Sequence, residues 1–294
     1  MRSATAILFL IAALAAGCGP MRGPAAQVPA ALGPAEVLAA HNAWADSIQH
    51  VWSRAGLMLD MPNQEKQGER ARYDLDGHLF LQKPEDLYLH GQVMGQEVFA
   101  MGMNAQRFWL WVRPKVNKVW TGRRGGQGER QFILAVEDLM SALGMFRIAL
   151  GPNDPATFDV MPAQYVLTQQ RDFAGKRVPW RRIWFDRRSL RPVRVDLYDE
   201  DGRSLLMAEL LKYEPVARLR QGEAPLRRGE ARTDVCTTYR VRFYGAQEVD
   251  LVLRLSSVSL LRPVNPKVFE YRLPPDARQE DLDAEPVKAV PPVE

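Results

Sequence analysis

Arg70-Ala71-Arg72-Tyr73-Asp74-Leu75-Asp76-Gly77-His78-Leu79-Phe80-Leu81 reads with a period of two. Ala71, Tyr73 and Leu75 alternate with Arg70, Arg72 and Asp74, and Leu79 and Leu81 carry the next run. Asp76-Gly77, between the runs, is a hairpin-turn signal. A strand sends successive side chains to opposite faces, so such a segment has one apolar side and one wet side. The same period continues outward. Leu87 and Leu89 alternate with Asp86, Tyr88 and His90; Val98-Phe99-Ala100-Met101 follows Gly95, and Phe108-Trp109-Leu110-Trp111-Val112 runs up to Pro114. Later runs are Tyr165 to Gln169, Trp180 to Phe185, Val193-Val195-Leu197, Leu206-Ala208-Leu210, Tyr239-Val241-Phe243 and Val249-Leu251-Leu253-Leu255. Brief turns between them predict an antiparallel meander of about ten or eleven strands.

Two stretches change to a helical period. Pro34 is preset for an opening turn. After it Val37, Leu38, Trp44, Ile48, Val51, Trp52 and Ala55 recur at helical spacing, with Glu36, Asn42, Asp46 and Gln49 on the other side. One amphipathic helix with two tryptophans on its apolar stripe is expected, reaching Arg54. Val136, Leu139, Met140 and Leu143 share a face of a second helix within 135–150, stopped by Gly151-Pro152. The chain is thus mainly β with some α. Its single apolar sheet face has to be buried by something. A curved sheet around the helices, a closed barrel and a two-sheet sandwich all satisfy the pattern.

The ends differ from this body. Met1 and Arg2 are followed by an uncharged apolar run, Ile7 to Ala16. It is shorter than the roughly 20 residues a membrane-crossing helix needs and reads as a secretory signal over 1–17. Leu14-Ala15-Ala16-Gly17-Cys18 resembles the bacterial lipobox, which implies cleavage before Cys18 and attachment of lipid to its sulfur. Gly19, rather than aspartate, resembles the outer-membrane sorting pattern. Residues 18–33 are rich in Gly, Pro and Ala and read as a tether, with a span of about 20 Å for a flexible coil. One body over 34–278 follows. Residues 279–294, rich in Pro and acid, read as a disordered tail.

The 294 residues are 46% hydrophobic and 25% charged, with a formal net charge of +4, ordinary values for a globular body and no case for nucleic acid. With Cys18 carrying lipid, Cys236 has no disulfide partner and reads as a buried structural thiol in a strand. No Gly-x-Ser-x-Gly elbow, His-Glu-x-x-His or phosphate loop is present. Gly126-Gln127-Gly128 lacks the third glycine of a dinucleotide fingerprint, and His41, His50, His78 and His90 show no metal-ligand spacing. Asp74-x-Asp76 and Asp199-Glu200-Asp201-Gly202 lack the downstream glutamate of a calcium loop and suit hairpin turns. These readings nominate no catalytic residue, metal or cofactor.

One charge cluster stands out. Lys176, Arg177, Arg181, Arg182, Arg187, Arg188, Arg191 and Arg194 share one hairpin with Asp186. Arg181, Arg182, Arg187 and Arg188 are candidate contacts to anionic lipid head groups. A solvated sheet face protected from edge aggregation is the other reading.

Three segments resemble the LolA/LolB-like fold of periplasmic lipoprotein carriers and acceptors. They are the first helix running into Leu57-Met58-Leu59, the run Gln106 to Trp111 leading to Trp120, and Arg182 to Arg194 followed by Asp201-Gly202. Pro266 to Pro274 resembles the last strand of those proteins. The resemblance implies an unclosed β-barrel whose concave apolar face, lidded by helices, accepts acyl chains. Trp44, Ile48, Trp52, Phe99, Met101, Leu110 and Met140 are the candidate lining, although a solid core uses the same residue types. The acceptor's protruding apolar loop has no secure equivalent, the nearest segment, Thr121 to Arg130, being basic. Two functions follow. The first is a lipid-anchored envelope protein, in the outer membrane and facing the periplasm, that binds a lipid or a lipoprotein acyl chain. The second is a structural lipoprotein with a filled core that holds a protein partner at the envelope.

Overall fold

In the computed structural model, residues 30–62, 68–113, 117–124, 136–150, 155–217, 232–244, 248–272 and 274–284 are described. The signal, Cys18 and most of the tether lie outside them, as do the glycines 126 and 128. All the elements below belong to the unit that begins at Ala31.

Among the described residues, fourteen strands form one sheet in the order β14-β6-β5-β4-β3-β2-β1-β13-β12-β11-β10-β9-β8-β7. The strands are β1 (His50–Pro62), β2 (Arg70–Gln82), β3 (Asp86–Val93), β4 (Gln96–Met103), β5 (Arg107–Val112), β6 (Lys118–Arg123) and β7 (Ala156–Val160). The remainder are β8 (Gln164–Phe173), β9 (Lys176–Asp186), β10 (Pro192–Tyr198), β11 (Ser204–Ala217), β12 (Arg232–Phe243), β13 (Val249–Ser259) and β14 (Arg278–Asp281). Two antiparallel meanders, β1–β6 and β7–β13, meet where β1 pairs with β13. The sheet does not close, because β14 and β7 remain at opposite ends of the order. This is the unclosed sheet with helices that the resemblance implies, antiparallel except where β14 joins β6, and it excludes the sandwich and the closed barrel.

Topology explains the helices. Helix α1 (Pro34–Asp46) opens where the Glu36 carboxylate accepts from the Gly33 amide at 2.8 Å, while α2 (Val136–Ala142) lies in the connection from β6 to β7. Those strands are twelve places apart in the sheet, roughly 58 Å at about 4.8 Å per strand. The connection therefore has to cross the whole sheet, and α2 touches β4 on one flank and both β10 and β11 on the other. A helix can meet both flanks only if the sheet curves around it. Its inner face buries one continuous core, including Leu57, Leu79, Leu89, Met103, Phe108, Phe185, Leu210, Tyr239 and Leu253.

Several expectations need correction. The first helix ends at Asp46, with Ser47 at its C-cap, and β1 begins at His50. Val51, Ser53, Ala55 and Leu57 are buried in alternation there, so the coincident helical spacing of Ile48, Val51, Trp52 and Ala55 was the weaker signal. Asp76-Gly77 is not a turn, because β2 runs straight through it. Leu75, Leu79 and Leu81 share parity, and one unbroken strand buries all three. The sheet has fourteen strands because β1, β6, the short edge strand β7 and β14 join those expected, while two expected runs merge into β2. The start of the acidic tail is also structured: Arg278 to Asp281 pair in parallel with β6 from Lys118 to Thr121, and Lys118 forms an ion pair with Glu280. Residues 285–294 lie outside the description. Pro266 to Phe269 form a 3-10 turn rather than a closing strand, capped by Asn265, whose side chain accepts from the Lys267 amide.

Cys236 is buried. Burial pushes its thiol up to about 11, where it is protonated and inert at neutral pH.

Candidate functional site

The concave face is filled by the chain's own side chains. Trp44, Ile48, Met101, Leu110 and Met140 are buried members of the core, and Phe99 packs against it. Trp52 is the exception. It lies on the opposite face of β1, with its ring 5.5 Å from that of His78 and the Arg262 guanidinium 4.1 Å above it. Strand alternation places it there once β1 replaces helix. The centre of the filling comes from α2 and the residues after it: Leu139, Met140, Leu143 and Met145 pack in one core with Met101, Met103 and Leu110. Thioethers are unbranched and polarisable, so they fill irregular space and repack easily.

Polar bonds fasten this filling to α1. His41 Nε2 lies 2.9 Å from the Phe146 carbonyl, and Asn42 both donates to the Ile148 carbonyl (3.0 Å) and accepts from the Ile148 amide (2.8 Å). From β8, Gln169 donates to the Ala149 carbonyl at 3.2 Å. His41 is 1% exposed, and burial lowers its pKa to about 4, so the ring is neutral at pH 7 and its Nε2–H donates. Lys83 donates to the Ala45 carbonyl and stands 5.4 Å from the Phe146 ring; burial lowers it to about 8.

The basic hairpin does not present one surface. Neighbouring residues of a strand face opposite ways, and the pairing shows it. Arg181 donates to Gln169 (2.8 Å), whereas Arg182 donates to Thr168 (3.0 Å) and stands 5.7 Å from the Trp184 ring. Arg194 lies 4.6 Å from that same indole and grips Asp196 through two 2.8 Å bonds. Arg191 covers Trp44 at 5.0 Å. Arg187 covers Tyr165 at 5.3 Å and donates to the Met161 carbonyl at 3.3 Å. Arg188 is exposed at the turn, which Asp186 organises by accepting from the Arg188 and Ser189 amides. Of the loop 121–130, residues 121–123 belong to β6 and those beyond 124 lie outside the description.

A second apolar cluster, Ala100, Trp109, Trp111 and Val119, is buried on the outer face, where none was expected, with Tyr88 and Tyr271 packed against it. Cross-strand pairing from β1 to β6 aligns Trp52, Phe80, Tyr88, Gly102, Trp109 and Thr121 in one row. The adjacent row is Arg54, His78, His90, Ala100, Trp111 and Val119. His78 and His90 stack at 5.3 Å, and Phe80 and Tyr88 at 6.3 Å. The Tyr88 hydroxyl donates to Glu97 at 3.0 Å. Burial, with His78 beside it, lowers His90 to about 4. The segment after the 3-10 turn covers part of these rows, Tyr271 meeting Trp109 with ring centres 5.6 Å apart. Between that segment and the sheet is a cleft of about 260 Å³. Phe80, Tyr88, Trp109 and Trp111 form its floor, and Glu97, Lys267, Glu270 and Arg272 stand around it. The sequence signal was available. At the alternate positions of β2, β3 and β5, where a solvated face carries charge, this chain carries rings.

Among the described residues, no group of three or more His, Cys, Asp or Glu side chains is placed to hold a metal ion, and no helix is long and apolar enough to cross a membrane.

Three solved structures are similar in chain path. A LolA superfamily protein, NE2245, from Nitrosomonas europaea is 14% identical with a TM-score of 0.48, covering 82% of this chain and 99% of its own. A putative outer membrane lipoprotein-sorting protein domain from Vibrio parahaemolyticus is 13% identical with a TM-score of 0.48, covering 80% and 94%. A DUF1329 family protein from Desulfovibrio piger is 14% identical with a TM-score of 0.45, covering 81% and 97%. No protein-family description and no curated protein matches the sequence. Likeness at this level concerns the path of the chain, and the chemistry has to come from this chain's own residues.

Proposed function

We propose that this chain is a non-catalytic, lipid-anchored envelope protein that binds a hydrophobic chain, such as a lipid or lipoprotein acyl chain, inside the half-barrel in exchange for α2. The anchor is lipid on Cys18, and the place of action is the periplasmic side of the outer membrane. The observation that supports this reading is the way the concave face is filled. A helix of seven residues spans the opening from β4 to β10 and β11, and its filling includes readily repacked methionines.

Magnitudes set the ligand. Exposing Leu139, Met140, Leu143 and Met145 costs about 1.5–3 kcal/mol each, while each buried CH₂ returns about 0.8 kcal/mol. The exchange thus costs about 6–12 kcal/mol; the roughly fifteen apolar carbons of palmitate return about 12 kcal/mol and offset it, and the roughly seven of octanoate return less than about 6 kcal/mol and do not. Partial refilling of the vacated space by side chains shifts this threshold without changing its direction.

The bonds from His41 and Asn42 to Phe146 and Ile148 favour the second reading, a scaffold with a permanently filled core. Native mass spectrometry of the full chain, purified from membranes and extracted for lipid, separates the two. Co-purifying acyl species, together with binding of palmitate but not octanoate, are the expected result. A chain free of acyl species that also fails to take up palmitate overturns the carrier reading in favour of the scaffold.

A further inference from the structure

We propose that the end of the sheet carrying the β7–β8 and β9–β10 turns lies on the phospholipid bilayer that holds the anchor, with the tip Val160-Met161-Pro162-Ala163 set among the lipid head groups. This orientation rests on the reading of lipid at Cys18, but nothing in it depends on acyl-chain binding in the half-barrel.

Hairpin turns are ordinarily built from Gly, Pro, Asn, Asp and Ser. Here four consecutive apolar residues, 160 to 163, are all exposed, Val160 at 51% and Met161 at 44%. A run of that kind is unfavourable in water unless something covers it. The tip is also held in place. The Met161 amide donates to the Gln164 carbonyl at 2.8 Å and the Arg187 amide to the Ala163 carbonyl at 3.0 Å. The Arg187 side chain donates to the carbonyls of Met161 and Pro162 at 3.3 and 3.4 Å. A tip fastened to the neighbouring turn gives up little freedom on meeting a surface.

The path of the chain selects the surface. The Leu32 amide donates to the Tyr165 hydroxyl at 2.9 Å, and Arg187 lies over the same ring at 5.3 Å. The stretch that begins at Cys18 therefore enters the body beside the apolar tip. Treated as a coil, residues 18 to 31 span about 20 Å. The far end of the sheet stands about 34 Å beyond that entry, ten residues along β8. Strand pairing carries Met94, the other prominent apolar tip, to the far end. Lipid on Cys18 thus brings residues 160–163 to the membrane first. Arg188, exposed in the adjacent turn, reaches the lipid phosphates. Two acids stand nearby: Asp159 on β7, and Asp186, which accepts from the Arg188 and Ser189 amides. They offset the charges of Arg187 and Arg188, so apolar insertion carries the contact and Arg188 adds to it. A contact of this size is weaker than a single myristoyl chain, roughly 10⁴ M⁻¹, and does not replace the anchor.

The test uses the chain 18–294 with Cys18→Ser, so that neither signal nor lipid contributes, and vesicles of phosphatidylethanolamine and phosphatidylglycerol. Half of the chain is expected to sediment with the vesicles at lipid concentrations on the order of 1–10 mM. Met161→Ser should weaken this by about tenfold and Arg188→Ala by about three- to fivefold. Both side chains are exposed, so the melting temperature stays unchanged. A polarity-sensitive fluorophore attached through Met161→Cys should shift to the blue on vesicles, whereas the same label attached through Met94→Cys should not. The buried Cys236 does not compete for the reagent. A larger shift at 94 than at 161 overturns the proposal, because the body then meets the bilayer with its opposite end. Absence of sedimentation up to about 20 mM lipid, or sedimentation that Met161→Ser leaves unchanged, also does so. Failure of the anchor reading shows separately, in acyl analysis of the N-terminal peptide of the parent.

Discussion

A Cβ placed on Gly77 would stand 1.8 Å from the backbone carbonyl oxygen of His90, across the pair of β2 and β3. No side chain can be accommodated at that distance, and the obstacle is backbone, which cannot rotate away. Gly77→Ala is therefore expected to destabilise the chain by about 2 kcal/mol or more. Gly95→Ala is the comparison. It meets nothing within 4 Å but sits at φ +78° in the turn between β3 and β4, and should cost only about 1 kcal/mol. Urea denaturation of both variants measures the difference. A Gly77→Ala midpoint equal to that of the parent contradicts the close approach of the two strands.

The same glycine shows what was legible in the sequence. Asp-Gly between two apolar runs is a sound hairpin signal, but the parity of Leu75, Leu79 and Leu81 carried the contrary information and outranks it. The alternation of β3, β5 and β13 was visible because each buries one face. Strands β6, β7 and β14 were not, since β7 and β14 lie at the ends of the sheet and bury almost nothing themselves. The concave lining was legible as residue type, and six of the seven candidates do face or pack against the core. Whether that core is full depends on where α2 crosses, which is a property of strand order and has no local signature. The outer cluster was missed because Phe108 to Val112 was read only as a strand, without asking which face the shared parity of Trp109 and Trp111 selects.

Acid should loosen the attachment of the α2 region to α1. His41 has a folded pKa of about 4 against an ordinary 6.5 because burial disfavours its charged form. Its contribution to stability is thus fully present above pH 6.5. It is lost as the pH falls toward 4, because the unfolded chain takes up the proton first. The loss is on the order of 3 kcal/mol at most, and His90, shifted the same way, adds to it. His41→Gln keeps a donor for the Phe146 carbonyl but does not titrate. Melting temperatures from pH 7 to 4 should fall less steeply for this variant than for the parent. Parallel curves would show that the ring is not the titrating group.

Cys18→Ser tests the anchor directly. If lipid on Cys18 is what holds the chain to the membrane, the variant moves from the membrane pellet to the soluble envelope fraction with its melting temperature unchanged. Mass spectrometry of the parent's N-terminal peptide should show acyl groups on residue 18. A variant that stays in the pellet, or a parent peptide without acyl groups, rules the anchor out.

Arg182 and Arg194 both stand over Trp184 of their own hairpin, and Arg194 also grips Asp196, which fixes the outcome of removing it. Asp196 has a side chain only 7% exposed, and both of its oxygens are held by Arg194 at 2.8 Å, with the Tyr198 hydroxyl more distant at 3.4 Å. Arg194→Ala strands that carboxylate and uncovers Trp184, which should cost about 1–3 kcal/mol, since a buried charge without its partner is the expensive case. Asp196→Asn in the same chain replaces the stranded charge with a neutral amide, so the double variant should recover part of the loss. Urea midpoints of the two singles and the double complete the cycle. Additive single effects would mean that the pair is not coupled. Binding of the full chain to anionic vesicles should be the same for Arg194→Ala and for the parent, because this guanidinium is engaged within the sheet and is not offered to a surface.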